Sequence, residues 1–143
     1  MCHRDINPNN IIINYDPAGK DHLKLTVIDF NVSKRFKHPA SGSPLLMMTN
    51  TGTAKYQAPE MLQGWMSYYD EKIDLWSAGA VLYYMLTGGI HAFNFDKQKD
   101  IENAINEGDY GTDIPEYAEL AEEHKILIKG LLTVDTDKRF TVA

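Results

Sequence analysis

The chain has 143 residues, a formal net charge of −6 and 43% hydrophobic residues, as expected of a globular domain with one sizeable core. The acidic excess argues against nucleic acid as a partner, because binding to a phosphate backbone requires clustered Lys and Arg. Cys2 is the only cysteine, so an intramolecular disulfide is excluded and a reducing, cytoplasmic location is expected. The most apolar run, residues 75–90, is shorter than the roughly 20 residues that span a bilayer, so no membrane partner is expected.

Two short β-branched runs near the start of the chain predict a β-hairpin. The runs are Ile11–Asn14 and Leu23–Ile28, and the residues between them are rich in turn formers. Residues 31–52 follow without sustained periodicity. A connection of this length without regular structure is usually functional or mobile, so we expect an exposed functional loop.

The most apolar part of the chain predicts a buried central helix. Residues Asp70–Thr87 have helical composition and are apolar on most faces beyond Asp74, and Gly88-Gly89 supplies a stop. Aromatic side chains around this helix are expected to pack in the core rather than to bind a cofactor. They are Trp65, Tyr68, Tyr69, Trp76, Tyr83 and Tyr84.

Two amphipathic helices are predicted after the central helix, at Lys97–Glu107 and Glu119–Leu132. In both, apolar residues recur at helical spacing with polar residues between them. These residues are Ile101, Ala104 and Ile105 in the first helix and Leu120, Ile126, Leu127 and Leu131 in the second. Because the strands come first and the helices follow, the predicted fold class is α+β and mainly helical.

The first motif with a chemical meaning is His3-Arg4-Asp5, with Asn10 five positions after the aspartate. It resembles the H-R-D-x-x-x-x-N catalytic loop of protein kinases. In that loop the carboxylate orients the substrate hydroxyl and accepts its proton, and the amide oxygen binds magnesium. The resemblance therefore implies that Asp5 is the catalytic base and Asn10 a magnesium ligand.

Four further motifs occur in the order in which protein kinases have them. Asp29-Phe30-Asn31 is similar to the D-F-G motif, which implies that Asp29 is a second magnesium ligand and that Phe30 packs against the core. The others are a G-T-x-x-Y-x-A-P-E segment at residues 52–60, a D-x-W-S-x-G at 74–79 and a D-P-x-x-R-x-T-like segment at 135–141. Five motifs in one order are far more specific than any single one. The chain thus resembles a protein kinase domain over essentially its whole length.

The resemblance implies a function and several supporting roles. The function is transfer of the ATP γ-phosphate to Ser or Thr of a protein substrate, with ATP and Mg²⁺ as cofactors. Asp74 is implied to brace the catalytic loop, and Glu60 to form a buried ion pair with Arg139. Arg4 is implied to bind a phosphorylated loop residue, with an unmodified solvated loop as an equal alternative. The candidate phosphorylation sites are Thr49, Thr51, Ser41 and Ser43.

Two substitutions depart from the family pattern. Asn7 stands where Ser/Thr kinases carry a lysine that contacts the transferred phosphoryl group, so slower turnover is expected. In the family, the threonine that corresponds to Thr53 ordinarily links the catalytic aspartate to that lysine, so the substitution puts the hydrogen bonding of Thr53 into question. The pair Gly52-Thr53 nevertheless favours the Ser/Thr branch of the family. Asn31 replaces the D-F-G glycine, and since Asn tolerates the left-handed backbone region, we expect a biased loop equilibrium rather than a broken site.

The glycine-rich loop and the strand lysine that hold ATP in protein kinases do not occur before His3. The expectation is therefore a partial kinase domain over residues 1–143, equivalent to the C-terminal lobe. An N-terminal lobe or a regulatory partner would supply the rest, and the isolated chain would be a weak enzyme. A pseudokinase or scaffold is the alternative. The subfamily stays open between calmodulin-dependent-like kinases, which share Tyr69-Asp70-Glu71-Lys72, and kinase-endoribonucleases, which share the setting of His91.

Overall fold

The computed structural model describes residues 1–15, 17, 23–43, 45, 47–63 and 68–142. Within these residues the protein has one two-stranded sheet, two short 3₁₀ helices and five α-helices, which confirms a mainly helical α+β architecture. The described part contains no helix long and apolar enough to cross a bilayer. The elements are the 3₁₀ helices Pro8–Asn10 and Ala54–Tyr56, strands β1 (Ile11–Tyr15) and β2 (Leu23–Val27), and helices α1 (Pro59–Leu62), α2 (Lys72–Leu86), α3 (Gln98–Glu107), α4 (Pro115–Ala118) and α5 (Glu122–Leu131).

The predicted β-hairpin is confirmed, with strand ends that differ by one residue. Strands β1 and β2 pair antiparallel, and Ile11 lies opposite Val27. The ladder continues past the strands through a 2.9 Å bond from the Ile28 N–H to the Asn10 carbonyl. This register brings the end of the first 3₁₀ helix and the residues after β2 to the same end of the hairpin.

The predicted central helix is also confirmed, as α2. The Asp70 side chain accepts a hydrogen bond from the Lys72 N–H at 2.9 Å, which fixes the start of the helix. At the other end Gly88 has a φ of +72°, a conformation that side chains other than glycine rarely adopt. Trp76 is fully buried within the helix and stacks on Phe93 with ring centroids 5.7 Å apart.

Helix α5 packs closely on α2 at Gly79. A Cβ atom built at Gly79 would lie 2.7 Å from Leu131 Cβ, so only glycine permits this approach. The buried residues of α5 are Ile128 and Gly130, whereas Ile126 is 55% exposed and Leu127 42% exposed. The predicted amphipathic pattern was therefore wrong for Ile126 and Leu127, whereas Leu131 is half-buried against Gly79. The predicted start of the helix at position 119 was also wrong.

The error in α5 has a local cause. The predicted helix Glu119–Leu132 included residues 119–121, which form the turn between α4 and α5 and are not helical. Ala121, which precedes α5, has an extended backbone with φ −61° and ψ 148°. The rotation of α5 is thus set by its contact with α2 and not by the apolar residues of the preceding segment.

Of the other predictions for the helical part, some are confirmed and one is wrong. Helix α3 buries Ile101, Ala104 and Ile105 as predicted, and its end is the left-handed Gly108 with φ +67°. Tyr69, Trp76 and Tyr83 are buried, Tyr84 is half-buried, but Tyr68 is 56% exposed, so its predicted core position was wrong. Trp65 lies outside the described residues. The described residues of the 31–52 loop form no helix or strand, and they include isolated bridges from Lys34 to Cys2 and from Met47 to Tyr69.

Candidate active site

The catalytic-loop motif is fixed to the first turn of α2. The Asp74 carboxylate accepts the backbone N–H of His3 at 2.7 Å and that of Arg4 at 2.9 Å. Arg4 has a φ of +69°, a strained conformation for a residue with a side chain, and such strain is typical of functional sites. The carboxylate on the rigid helix therefore holds the backbone that leads into Asp5, the bracing contact that the resemblance implied for Asp74.

The His3 ring joins the catalytic loop to the hairpin. Its Nδ1 atom accepts the Asp5 N–H at 3.3 Å, so the proton resides on Nε2, which donates to the Ile28 carbonyl at 2.9 Å. The Phe30 ring meets the His3 ring edge-on with centroids 4.7 Å apart. Phe30 is nevertheless 50% exposed, so its predicted packing into the core was wrong: it contacts the protein on the His3 side.

The Asp5 carboxylate is held by donors from both sides. Its Oδ1 atom accepts the Thr53 N–H and the Thr53 hydroxyl, each at 3.0 Å. Oδ1 also accepts the Asn7 side-chain amide at 3.0 Å, and Oδ2 accepts the Asn10 amide at 3.1 Å. Four hydrogen bonds fix the orientation of this carboxylate before any substrate arrives, which limits the reorganisation that catalysis would require.

Asn7 maintains the bonding that the missing lysine put into question. Its amide donates to the Thr53 hydroxyl at 3.3 Å and to the Asp5 carbonyl at 3.1 Å, while its Oδ1 atom accepts the Asn9 N–H at 3.0 Å and caps the first 3₁₀ helix. Asn7 is 3% exposed. Thr53 therefore keeps its hydrogen bond to Asp5. Asn in place of the family's lysine at position 7 removes a positive charge but leaves this hydrogen bond intact.

Gly52 allows the loop of residues 31–52 to approach the catalytic loop around Arg4 and Asp5 closely. Its φ is +96°, and a Cβ atom at this position would lie 2.6 Å from the Arg4 carbonyl oxygen. A side chain there would push the two segments apart, because a backbone atom cannot yield as a flexible side chain can. The glycine before Thr53 is thus a steric requirement of the contact between Thr53 and Asp5.

Asn10 and Asp29 lie at the same end of the hairpin. The Asn10 amide nitrogen donates to the Asp5 carbonyl at 2.8 Å, which places the Asn10 amide oxygen on the opposite side of that group. Asp29 is exposed, with a φ of +63°, and its carboxylate accepts the Asn31 N–H at 3.3 Å. The positive φ belongs to Asp29 and not to Asn31, so the replacement of the D-F-G glycine by Asn31 causes no left-handed strain in this conformation.

Glu60 and Arg139 form the buried ion pair that the resemblance implied. The contacts are bidentate, at 2.6 Å and 2.9 Å, and the Arg139 side chain is fully buried. The guanidinium also donates to the Lys72 carbonyl at 3.0 Å and lies 5.1 Å from the centre of the Trp76 ring. The pair therefore ties α1 and the start of α2 to the segment after α5.

Two residues near the site were missed by the sequence analysis as site residues, Tyr69 and Gln57. The Tyr69 hydroxyl accepts from Arg4 at 3.0 Å, and the Gln57 amide donates to the Thr51 carbonyl at 2.8 Å. Gln57 had only the weak signal of its place within the G-T-x-x-Y-x-A-P-E segment. Tyr69 had none, since its partner is 65 positions away.

Three groups near the site, Cys2, Tyr56 and His91, have a pKa that is shifted in favour of the neutral form. Burial and the neighbouring Asp74 raise the pKa of the Cys2 thiol, so this thiol is no nucleophile. Burial also raises the pKa of Tyr56, whose hydroxyl lies 3.0 Å from His91 Nδ1. Burial, and then the charge of Lys55, lowers the pKa of His91. The Tyr56 and His91 pair is therefore a structural contact between the second 3₁₀ helix and the loop after α2.

Comparison with known proteins agrees with the motifs. The protein kinase domain family matches residues 1–143. Calcium-dependent protein kinase 4 of Plasmodium falciparum (isolate 3D7) is 35% identical over 132 residues, which cover 92% of this chain and 23% of that protein. Calcium-dependent protein kinase 3 of Plasmodium berghei (strain Anka) is 36% identical over 143 residues, which cover 100% of this chain and 24% of that protein.

A third relative comes from another organism. The probable serine/threonine-protein kinase fhkC of Dictyostelium discoideum is 35% identical over 143 residues, which cover 99% of this chain and 22% of that protein. The chain thus spans about a quarter of the length of the curated relatives that it matches. Because the family match extends over every residue, the chain belongs to the protein kinase domain family.

Proposed function

We propose that this chain is the catalytic C-terminal lobe of a protein serine/threonine kinase, which transfers the ATP γ-phosphate to Ser and Thr hydroxyls of protein substrates. The observation that carries the proposal is the Asp5 carboxylate, held by Asn7, Asn10 and Thr53 through four hydrogen bonds. In this role Asp5 orients the substrate hydroxyl and accepts its proton. The enzyme forms no covalent intermediate, and its contribution is positioning and electrostatics.

Asn10 and Asp29 fit a magnesium ion together with a nucleotide. Both side chains offer oxygen atoms at one end of the hairpin, the ligand type that Mg²⁺ takes in proteins. The described residues contain no group of three His, Cys, Asp or Glu side chains that could hold a metal by themselves. This composition suits an ion that takes its other ligands from phosphate and water. Bound there, Mg²⁺ would neutralise charge on the phosphates.

The hairpin supports the assignment to one lobe of a larger enzyme. Ile13 is 54% exposed and Leu25 63% exposed, although they lie directly opposite one another in the sheet. An isolated two-stranded hairpin with exposed apolar residues is marginally stable in water, so these residues suit a surface that another lobe or a regulatory partner covers. We place the enzyme in the cytoplasm, in accord with the single, buried cysteine.

A phosphate-transfer assay on the full-length protein tests this function. The protein is incubated with labelled ATP, Mg²⁺ and a mixture of protein substrates, and the labelled amino acids are identified after hydrolysis. The proposal expects label on phosphoserine and phosphothreonine. Absence of transfer by the wild-type protein would favour the alternative, a scaffold that keeps the fold without the chemistry, for which the uncharged Asn7 is the supporting observation.

Replacing Asn7 with Lys distinguishes between a slow kinase and a scaffold without kinase activity. The Asn7 amide lies beside the Asp5 carboxylate, so a cation in its place would reach the transferred phosphoryl group. We expect Asn7→Lys to raise kcat by about tenfold or more, the range of one transition-state contact. Steady-state kinetics on the full-length protein measures this, with Asn9→Lys, at an exposed neighbouring position, as the control. A rate equal to or below that of the wild type would contradict this role of position 7.

A further inference from the structure

We propose that Tyr69 and Gln57 are positioning residues that hold residues 47–52, hereafter the docked segment, against the catalytic loop without a phosphate group. The inference rests on the proposed kinase function and concerns the regulation of the same site. It favours the unmodified loop over the alternative in which a phosphorylated Thr49 or Thr51 binds Arg4. Three sets of contacts within the described residues hold the docked segment in place.

The first set is a chain of hydrogen bonds through the Tyr69 hydroxyl. Arg4 Nη1 donates to this hydroxyl at 3.0 Å, and the hydroxyl donates to the Thr49 carbonyl at 2.7 Å. Tyr69 is 5% exposed, so both bonds are shielded from water. The phenol thus joins the arginine of the catalytic loop to the docked segment, a connection that a phosphate group would otherwise have to make.

The second set is made by the Gln57 side chain. Its amide nitrogen donates to the Asn50 side-chain oxygen at 2.7 Å and to the Thr51 carbonyl at 2.8 Å. Gln57 is 7% exposed and lies directly after the second 3₁₀ helix, so it is a fixed anchor. A backbone carbonyl and a neighbouring side chain of the docked segment are thereby bound by one uncharged group.

The third set is at the start of the docked segment. Met47 is fully buried, and its carbonyl accepts the Tyr69 N–H at 3.2 Å. Arg4 Nε donates to the Val32 carbonyl at 2.5 Å, and no carboxylate among the described residues forms an ion pair with Arg4. The arginine is thus engaged by uncharged acceptors, and the docked segment leads directly into Gly52 and Thr53, whose N–H and hydroxyl bind Asp5.

Hydrogen exchange on the full-length protein tests the positioning role without requiring catalysis. Tyr69→Phe keeps the ring and removes the hydroxyl, so we expect amides of residues 47–53 to exchange about tenfold faster while those of α2 are unchanged. Tyr68→Phe is the matched control, since the same change is made at the exposed neighbouring tyrosine. Exchange in Tyr69→Phe as slow as in the wild type would overturn the proposal.

Kinetics on phosphatase-treated protein tests the regulatory consequence. We expect the double variant Thr49→Ala and Thr51→Ala to keep kcat/KM within about twofold of the wild type, and Tyr69→Phe to raise KM for the protein substrate about tenfold with a smaller change in kcat. A tenfold loss in the alanine variant or after phosphatase treatment would overturn phosphate-free docking. Absence of Asp5-dependent transfer in the wild type would refute the proposed function alone, and the exchange comparison would still decide the role of Tyr69.

Discussion

Asp5→Asn lowers kcat of the full-length protein by about 10²- to 10⁴-fold, the contribution of a positioned general base. The amide has nearly the same shape as the carboxylate, so the fold around it is retained, but it cannot accept the proton of the substrate hydroxyl. KM for the protein substrate should change little, because Asp5 acts on the reacting hydroxyl rather than on the rest of the peptide. Initial rates of labelled phosphate transfer give both parameters.

The matched control for this change is Asp137→Asn. The Asp137 side chain is 95% exposed and its contact to Lys72 is a long 3.9 Å, so the same substitution there should leave kcat unaltered. A circular dichroism spectrum equal to that of the wild type would exclude unfolding of Asp5→Asn. If Asp5→Asn kept half of the wild-type rate, another group would be the base and the site would be misassigned.

Glu60→Gln lowers the free energy of unfolding by about 3–5 kcal/mol, the typical cost of removing one partner from a buried ion pair. The change leaves the Arg139 guanidinium fully buried without a carboxylate, since its other acceptors are uncharged carbonyls. Domains of this size have a stability of about 5–15 kcal/mol, so much of the total would be lost. Urea denaturation followed by tryptophan fluorescence measures the difference, and Trp76 next to Arg139 is a local reporter.

The exposed ion pair between Lys138 and Asp135 provides the comparison. Its atoms are 2.9 Å apart, as close as one contact of the buried pair, but the Lys138 side chain is 78% exposed. Lys138→Gln should therefore shift the urea midpoint by no measurable amount, because water replaces the lost contact. Equal midpoints for Glu60→Gln and Lys138→Gln would show that burial does not strengthen the Glu60 interaction.

The features that could be predicted from the sequence are those with a strong local pattern or a motif. The apolar run that ends at Gly88 predicted α2 because a buried helix needs no polar face. The hairpin followed from two β-branched runs and a turn-rich connection. The residues around Asp5 and Asn10 could be named because the motif places them five positions apart, and the first 3₁₀ helix brings both side chains together.

The features that could not be predicted depend on contacts between distant parts of the chain. Asn7 and Thr53 are 46 positions apart, and no local pattern indicated that an amide would preserve the bond of the hydroxyl to Asp5. The rotation of α5 is determined by its approach to Gly79, so its own periodicity identified Leu131 at that contact but not the exposure of Ile126 and Leu127. The exposure of Phe30 could not be predicted from the D-F-N motif itself, because its ring contact is to His3, 27 positions earlier in the chain.

The dependence of phosphate transfer on Mg²⁺ concentration, compared for the wild type and Asp29→Asn, tests most directly whether the site works as a kinase site. The account predicts transfer that requires Mg²⁺ in the wild type, and a half-saturating Mg²⁺ concentration at least about tenfold higher in Asp29→Asn, because a ligand at the metal is weakened. Superimposable Mg²⁺ curves for the two proteins would contradict the assignment of Asp29 and, with it, the proposed site.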